Sequence, residues 1–314
     1  MKNLPLLLCF LPFFSWAQDE SLWEMQLDSL YESQLYSEAI LHCQQKIAMD
    51  STHLKAWANL PYGSIGLGKN QEAYDAFSNA IAQFPEEVGL RIDRGGFLLE
   101  LNEHELCLED YNYVYSKAET KQDSLDALLN IGAAYTSSRQ FNEAYLSLKK
   151  AHYLDPLDYK ILINLSFVFG ELKEFEQSEN HLLKALEIKP NDEYALNNLG
   201  YSYQVTGKYE ESLNIFDQLI ALDPENARSY NNRGYTHFLL ENHEQALIDI
   251  NTGIKLWDQN SYAYRNRALV FIAQGLFDHA CADLHKAELL QFSVNWGNEV
   301  QELMKTHCTE KDQD

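Results

Sequence analysis

Small side chains return at a fixed interval along this chain. Ala39, Ala73, Cys107, Ala144, Ser178, Ser212, Ala246 and Ala280 are separated by steps of 34, 34, 37, 34, 34, 34 and 34 residues. Twelve residues before each lies a second register: Leu27, Pro61, Gly95, Gly132, Ser166, Gly200, Gly234 and Ala268, six of them small. Four residues after each anchor the side chain is usually large (Phe77, Tyr111, Leu148, Leu182, Phe216, Ile250 and Leu284), with Cys43 the smallest. Three residues before it stands an aromatic or a histidine in Tyr36, His104, Phe141, Phe175, Tyr209, His243 and Phe277, with Asn70 the exception. Pro85, Pro156, Pro190 and Pro224 follow four of the anchors by twelve residues.

These registers predict two amphipathic helices per unit, joined by a tight turn. Small residues at the two anchor positions let the helices approach, and large ones elsewhere fill the space between units. Proline after the second helix stops it, because it has no amide hydrogen to donate and restricts the residue before it. One helix pair cannot bury its whole apolar face, whereas a stack of them makes a continuous core.

The pattern resembles the tetratricopeptide repeat, W-x2-L-G-x2-Y…A-x3-F…P. It is carried best by LNNLGYSY…ESLNIFDQLIALDP (Leu196 to Pro224) and LLNIGAAY…EAYLSLKKAHYLDP (Leu128 to Pro156), with Trp23, Trp57 and Leu60 also in place. The resemblance implies an all-α fold, a right-handed α-α superhelix of about eight helix-turn-helix repeats. Their approximate bounds are 20–53, 54–87, 88–124, 125–158, 159–192, 193–226, 227–260 and 261–294. A capping helix is expected over 295–308, with Val294, Trp296, Val300 and Met304 as its apolar stripe, followed by a polar tail over 309–314. Two departures stand out. Pro61 falls inside a first helix, where proline costs about 3 kcal/mol and bends the axis, with Gly63, Gly66 and Gly68 easing the exit. The step of 37 adds three residues, placed in the polar stretch Thr120 to Ser124, where they would either loosen that junction or mark a bend.

The first seventeen residues read as a leader rather than as fold. Lys2 gives a basic start, Leu4 to Phe14 is apolar, and Ser15-Trp16-Ala17 offers small residues at the two sites a signal peptidase reads. The apolar run is shorter than the ~20 residues a membrane helix needs. The expectation is therefore an exported protein, periplasmic or secreted, with no membrane span in the mature chain. The formal charge of −23 repels phosphate backbones and speaks against nucleic acid as a partner.

Candidate chemistry is sparse. Gly63 to Lys69 approaches a phosphate-binding loop, but Asn70 replaces the hydroxyl that would hold magnesium, and no strand is expected before it. Cys281, His285, His279 and Cys308 match no standard zinc spacing. Cys43 and Cys107 fall in packing registers and read as small apolar residues. Cys281 and Cys308 flank a turn near Phe292 at comparable distances, so antiparallel helices could bring them within reach of a disulfide, though the geometric limits on a bridge are narrow and the spacing alone leaves it open. No nucleophile elbow or acid–base pair is visible, and the expectation is no catalysis, no cofactor and no metal.

The family resemblance implies that first helices line a groove that binds peptides or protein surfaces. The positions it points to are Tyr194, Asn197, Asn198 and Tyr201 in the sixth repeat, Arg228, Asn231 and Tyr235 in the seventh, and Tyr262 and Arg265 in the eighth. Asn also recurs at the sixth helix position in Asn59, Asn130, Asn164, Asn198, Asn232 and Asn266, which a purely structural role would equally explain. The expected function is an exported scaffold or adaptor for a protein or peptide ligand. The alternatives are a fixed component or assembly factor of an envelope or secretion complex and, behind it, an envelope hydrolase.

Overall fold

The computed structural model describes residues 11–308, with side chains from Glu20 onward. The leader expected over residues 1–17 falls mostly outside the described residues, and the tail over 309–314 wholly so. Among the described residues all regular structure is helical. The chain divides into two units, one up to Arg139 and one from Gln140.

The first unit holds α1 (Leu11–Glu32), α2 (Tyr36–Met49), α3 (Leu54–Gly66), α4 (Asn70–Gln83), α5 (Val88–Glu100), α6 (His104–Ser116) and α7 (Lys121–Ser137). The second holds α8 (Phe141–Leu154), α9 (Tyr159–Glu171), α10 (Phe175–Ile188), α11 (Glu193–Val205), α12 (Tyr209–Leu222), α13 (Ala227–Leu239), α14 (His243–Leu256), α15 (Ser261–Ala273), α16 (Phe277–Leu289), α17 (Phe292–Trp296) and α18 (Glu299–His307).

Caps and turns set these boundaries. The odd-numbered helices from α3 to α15 open on side-chain caps: Asp158 accepts from the Ile161 amide at 3.0 Å, Asp192 from Ala195 at 2.8 Å, and Asn226 from Arg228 and Ser229. The turn after each places one residue at positive φ: Gln34, Gly68, Asn102, Arg139, Lys173, Gly207, Glu241 and Gly275, in step with the sequence registers. The next amide reaches back to the carbonyl five residues earlier, as Lys208 does to Tyr203 at 2.8 Å and Leu276 to Phe271 at 2.9 Å. That bond closes the helix end with a left-handed residue.

The two small registers pack as the spacing predicts. A Cβ on Gly200 would lie 2.7 Å from Phe216, one on Gly234 2.7 Å from Ile250, and one on Gly95 2.6 Å from Tyr111. Where the anchor is serine, its hydroxyl takes up the carbonyl of the other register: Ser178 donates to Ser166 at 2.8 Å and Ser212 to Gly200 at 3.0 Å. A polar atom is thereby buried without loss.

Three expectations change. The three extra residues do not loosen a junction. They are wound into α7, 17 residues long where α5 has 13, and Thr120 and Asp123 cap the added turn reciprocally. Gly63 and Gly66 lie within α3, where they admit Ile40 and the Tyr36 ring rather than forming an exit, and α3 runs through Pro61 to Gly66. The capping helix expected over 295–308 is two helices, because Gly297 at φ 96 breaks the path between α17 and α18. Of its expected stripe, Val300 is buried, while Val294 and Trp296 are exposed.

A groove in the second unit as candidate site

Helices α11, α13 and α15 present their inner faces to a groove of about 790 Å3, within the range of small-ligand and peptide sites. Asn197, Tyr201, Arg228, Asn231, Tyr235, Tyr262 and Arg265 all line it; Tyr194 and Asn198 do not. Asn198 instead donates to the Tyr194 carbonyl at 2.8 Å, as Asn59 does to Lys55 and Asn164 to Lys160. The recurring asparagine is thus a helix-surface residue in those repeats.

In the last two repeats the same position does something else. Asn266 donates to Asn231 at 3.1 Å, Asn231 to Asn232 at 3.3 Å, and Asn232 to Asn197 at 3.0 Å, with Arg265 feeding Asn266 at 2.8 Å. Gln204 adds bonds to the Asn232 carbonyl and the Thr236 hydroxyl. A chain of amides therefore crosses the floor from α15 to α11. Asn231 and Asn266 are each only 3% exposed, so they serve that floor first. Such a satisfied network fixes the groove's shape.

The walls are aromatic and cationic. The Arg228 guanidinium lies 5.7 Å from the Trp257 ring centre, and Arg265 lies 5.3 Å from that of Tyr235. Tyr201, Tyr262 and Trp257 stay exposed at the groove, and burial pushes the Tyr262 hydroxyl above its ordinary range, keeping it a neutral donor. Arg265 is held by the Glu299 carboxylate through Nε and Nη2. Although burial opposes its charge, that pairing raises Arg265 above the usual arginine range. Among the described residues, the charged ones lining the groove are Arg228, Arg265 and Glu299, a positive bias on a strongly acidic chain. The lining contains Ser261 but no histidine, cysteine or lysine.

Trp257, Asn295, Trp296 and Glu299 also line the groove, from outside the first helices and beyond the positions the repeat resemblance points to. A set of buried ion pairs beneath the helices was likewise not among the expected features. Arg94 pairs with Asp110, Arg233 with Asp249, and Arg267 with Asp283, each across 16 residues. Each arginine also reaches back 16 residues, to Ser78, Asp217 and Asn251 respectively. One arginine thus pins its own helix to the helix before and the helix after. The equal spacing of arginine and aspartate was the available signal.

Cys281 and Cys308 are bonded, with Cα atoms 5.6 Å apart, which takes both thiols out of any zinc set. Cys43 and Cys107 are buried free thiols. No helix among the described residues is long and apolar enough to cross a membrane.

Family models described as "TPR repeat" and "Tetratricopeptide repeat" match residues 206–241, 181–214, 159–192 and 227–256. No curated protein matches the chain. Among solved structures, a tetratricopeptide repeat protein from Parabacteroides merdae is similar at TM-score 0.67 and 19% identity, over 82% of this chain and 99% of that one. A chain of the APC/C hetero-tetramer Cut9–Hcn1 is similar at TM-score 0.58 and 15% identity, over 92% of this chain and 56% of that one. YrrB, described as a TPR protein with an unusual peptide-binding site, is similar at 0.51 and 24% identity, over 60% and 96%. These likenesses establish the all-α solenoid fold.

Proposed function

This chain is a tetratricopeptide-repeat protein, and on that premise we propose that it is a non-catalytic scaffold holding a peptide or protein segment in the groove of its last three repeats. The observation that carries this reading is the groove's composition. Exposed Tyr201, Trp257 and Tyr262 offer rigid contact area, and Arg228 offers a cation without an ion pair among the described residues, over a pre-set amide floor. The fold likeness to YrrB, itself a peptide binder, supports the same reading. The leader expected over residues 1–17 adds an exported setting, and a disulfide between Cys281 and Cys308 suits an oxidising compartment.

Crosslinking in the native host followed by mass spectrometry identifies the partner. Capture by Tyr201→Ala/Arg228→Ala protein should fall by at least about tenfold, as expected for loss of an aromatic and an arginine anchor. Undiminished capture would place the partner elsewhere. Size exclusion of native extract separates a reversible adaptor, running free, from a fixed subunit of a larger complex.

A further inference from the structure

The far end of the groove is occupied by the chain's own C-terminal strap. The backbone leaves helical geometry at Gln291 and at Gly297, both at positive φ. The strap is nevertheless firmly seated. Phe292 and Val300 are buried against Tyr264, Ala268, Leu284 and Ala287, and Cys308 is bonded to Cys281. Trp296 and Glu299 belong to none of this anchoring. Trp296 is 58% exposed and sets its ring 5.1 Å from that of Tyr262. Glu299 grips Arg265 from the groove side. Two strap side chains three residues apart thus bring an aromatic ring and a carboxylate to groove residues on α15.

The Glu299 side chain is 46% exposed, against 13% for Arg265, so an incoming carboxylate can approach Arg265 from the Glu299 side and take the place of Glu299. The buried anchors Phe292 and Val300 and the Cys281–Cys308 bond hold the strap without Trp296 or Glu299. Resting on the groove reading above, we propose that Trp296 and Glu299 are an internal surrogate ligand. The partner is then a protein segment presenting an aromatic side chain and a carboxylate to Tyr262 and Arg265, in competition with the strap.

The probe is a fluorescein-labelled synthetic peptide copying residues 294–301, added to full-length, disulfide-intact protein. Trp296→Ala/Glu299→Gln protein should bind it about tenfold more tightly than wild type, as release of one exposed ion pair and one ring contact would give. Adding Arg265→Ala should return binding to the wild-type level. A peptide with its own tryptophan and glutamate replaced by alanine and glutamine should not bind. Equal binding to wild type and the double variant, indifference to Arg265→Ala, or no binding to any of the proteins overturns the proposal. Circular dichroism melts check that the variants fold, since neither replaced strap residue lies in the buried anchor. Failure of the groove reading shows separately, as partner capture that survives Tyr201→Ala/Arg228→Ala.

Discussion

Arg233 donates two hydrogen bonds of 2.7 Å to Asp249 on the following helix, and Asp249 is almost fully buried. In the preceding repeat the same two registers hold Leu199 and Ile215. Each site therefore takes either a charged pair or an apolar one. Asp249→Leu alone should cost about 3 kcal/mol, because a guanidinium is left facing an apolar wall. Arg233→Leu should cost a similar amount through the stranded carboxylate. The double variant should recover most of the loss, giving a coupling of at least about 2 kcal/mol in urea melts. Additive losses would show that the arginine acts chiefly through Asp217.

Removing the Cys281–Cys308 bridge, which closes 27 residues of chain, should cost up to about 3.5 kcal/mol. In a stack of repeats the loss stays local. Amide exchange in Cys281→Ser/Cys308→Ser protein should accelerate over 290–308 and remain unchanged in α11 and α12. Thiol titration gives a second check on protein beginning at Gln18. Burial pushes the Cys43 thiol up to about 12 and the Cys107 thiol up to about 11. Native protein should react at none of its thiols, mildly reduced protein at two, and reduced unfolded protein at all four.

His152 and His181 face each other with ring centres 5.6 Å apart. Burial lowers both below 6.5; at His152 the His181 and Lys184 charges add to it, and at His181 Lys184 does so against the Gln177 carbonyl bond. The unfolded chain therefore takes up protons first as pH falls. The stability from this pair is complete above about pH 6.5 and drains away as pH drops through the lower folded values. The melting temperature should fall between pH 7 and pH 5, and His152→Phe/His181→Phe should flatten that slope. An unchanged slope would assign the acid sensitivity to carboxylates instead.

Two glycines in equivalent helices should respond oppositely to alanine. At Gly200 the new methyl meets Phe216 at 2.7 Å, and overpacking should cost about 1–3 kcal/mol. At Gly170 the nearest atom is the Ser178 hydroxyl at 4.0 Å. There the helix gains about 0.5–1 kcal/mol from lost unfolded-state freedom. Thermal melts of the two variants should shift in opposite directions.

The helix pairs were legible because close approach tolerates few side chains. Glycine, alanine or serine at Gly200, Ala246 and Ser212 is dictated by the neighbour 16 or 12 residues away, and so it repeats. The insertion was correctly placed but its conformation was not legible, because a polar run such as Thr120 to Ser124 serves a loop or a capped helical turn equally well, and only the Thr120–Asp123 bonds decide it. The strap was half legible. Val300 has the spacing of a buried stripe, but Gly297 turns Trp296 away from it, and a glycine's φ is set by packing that no local pattern encodes. Seven of the nine expected groove residues line the groove. Which of them face an incoming segment depends on amide and ion-pair partners 34 or 35 residues away, such as Asn231 for Asn266 and Glu299 for Arg265.

Phe292 and Val300 occupy the surface of α16 and α15 that a ninth pair of helices would need. A tandem duplication inserted after Leu289 would have to evict both side chains of that plug and sever the sulfur link that fastens it. Evolutionary lengthening of this array is therefore steered to interior junctions, where an added unit meets the same neighbours as the unit it copies.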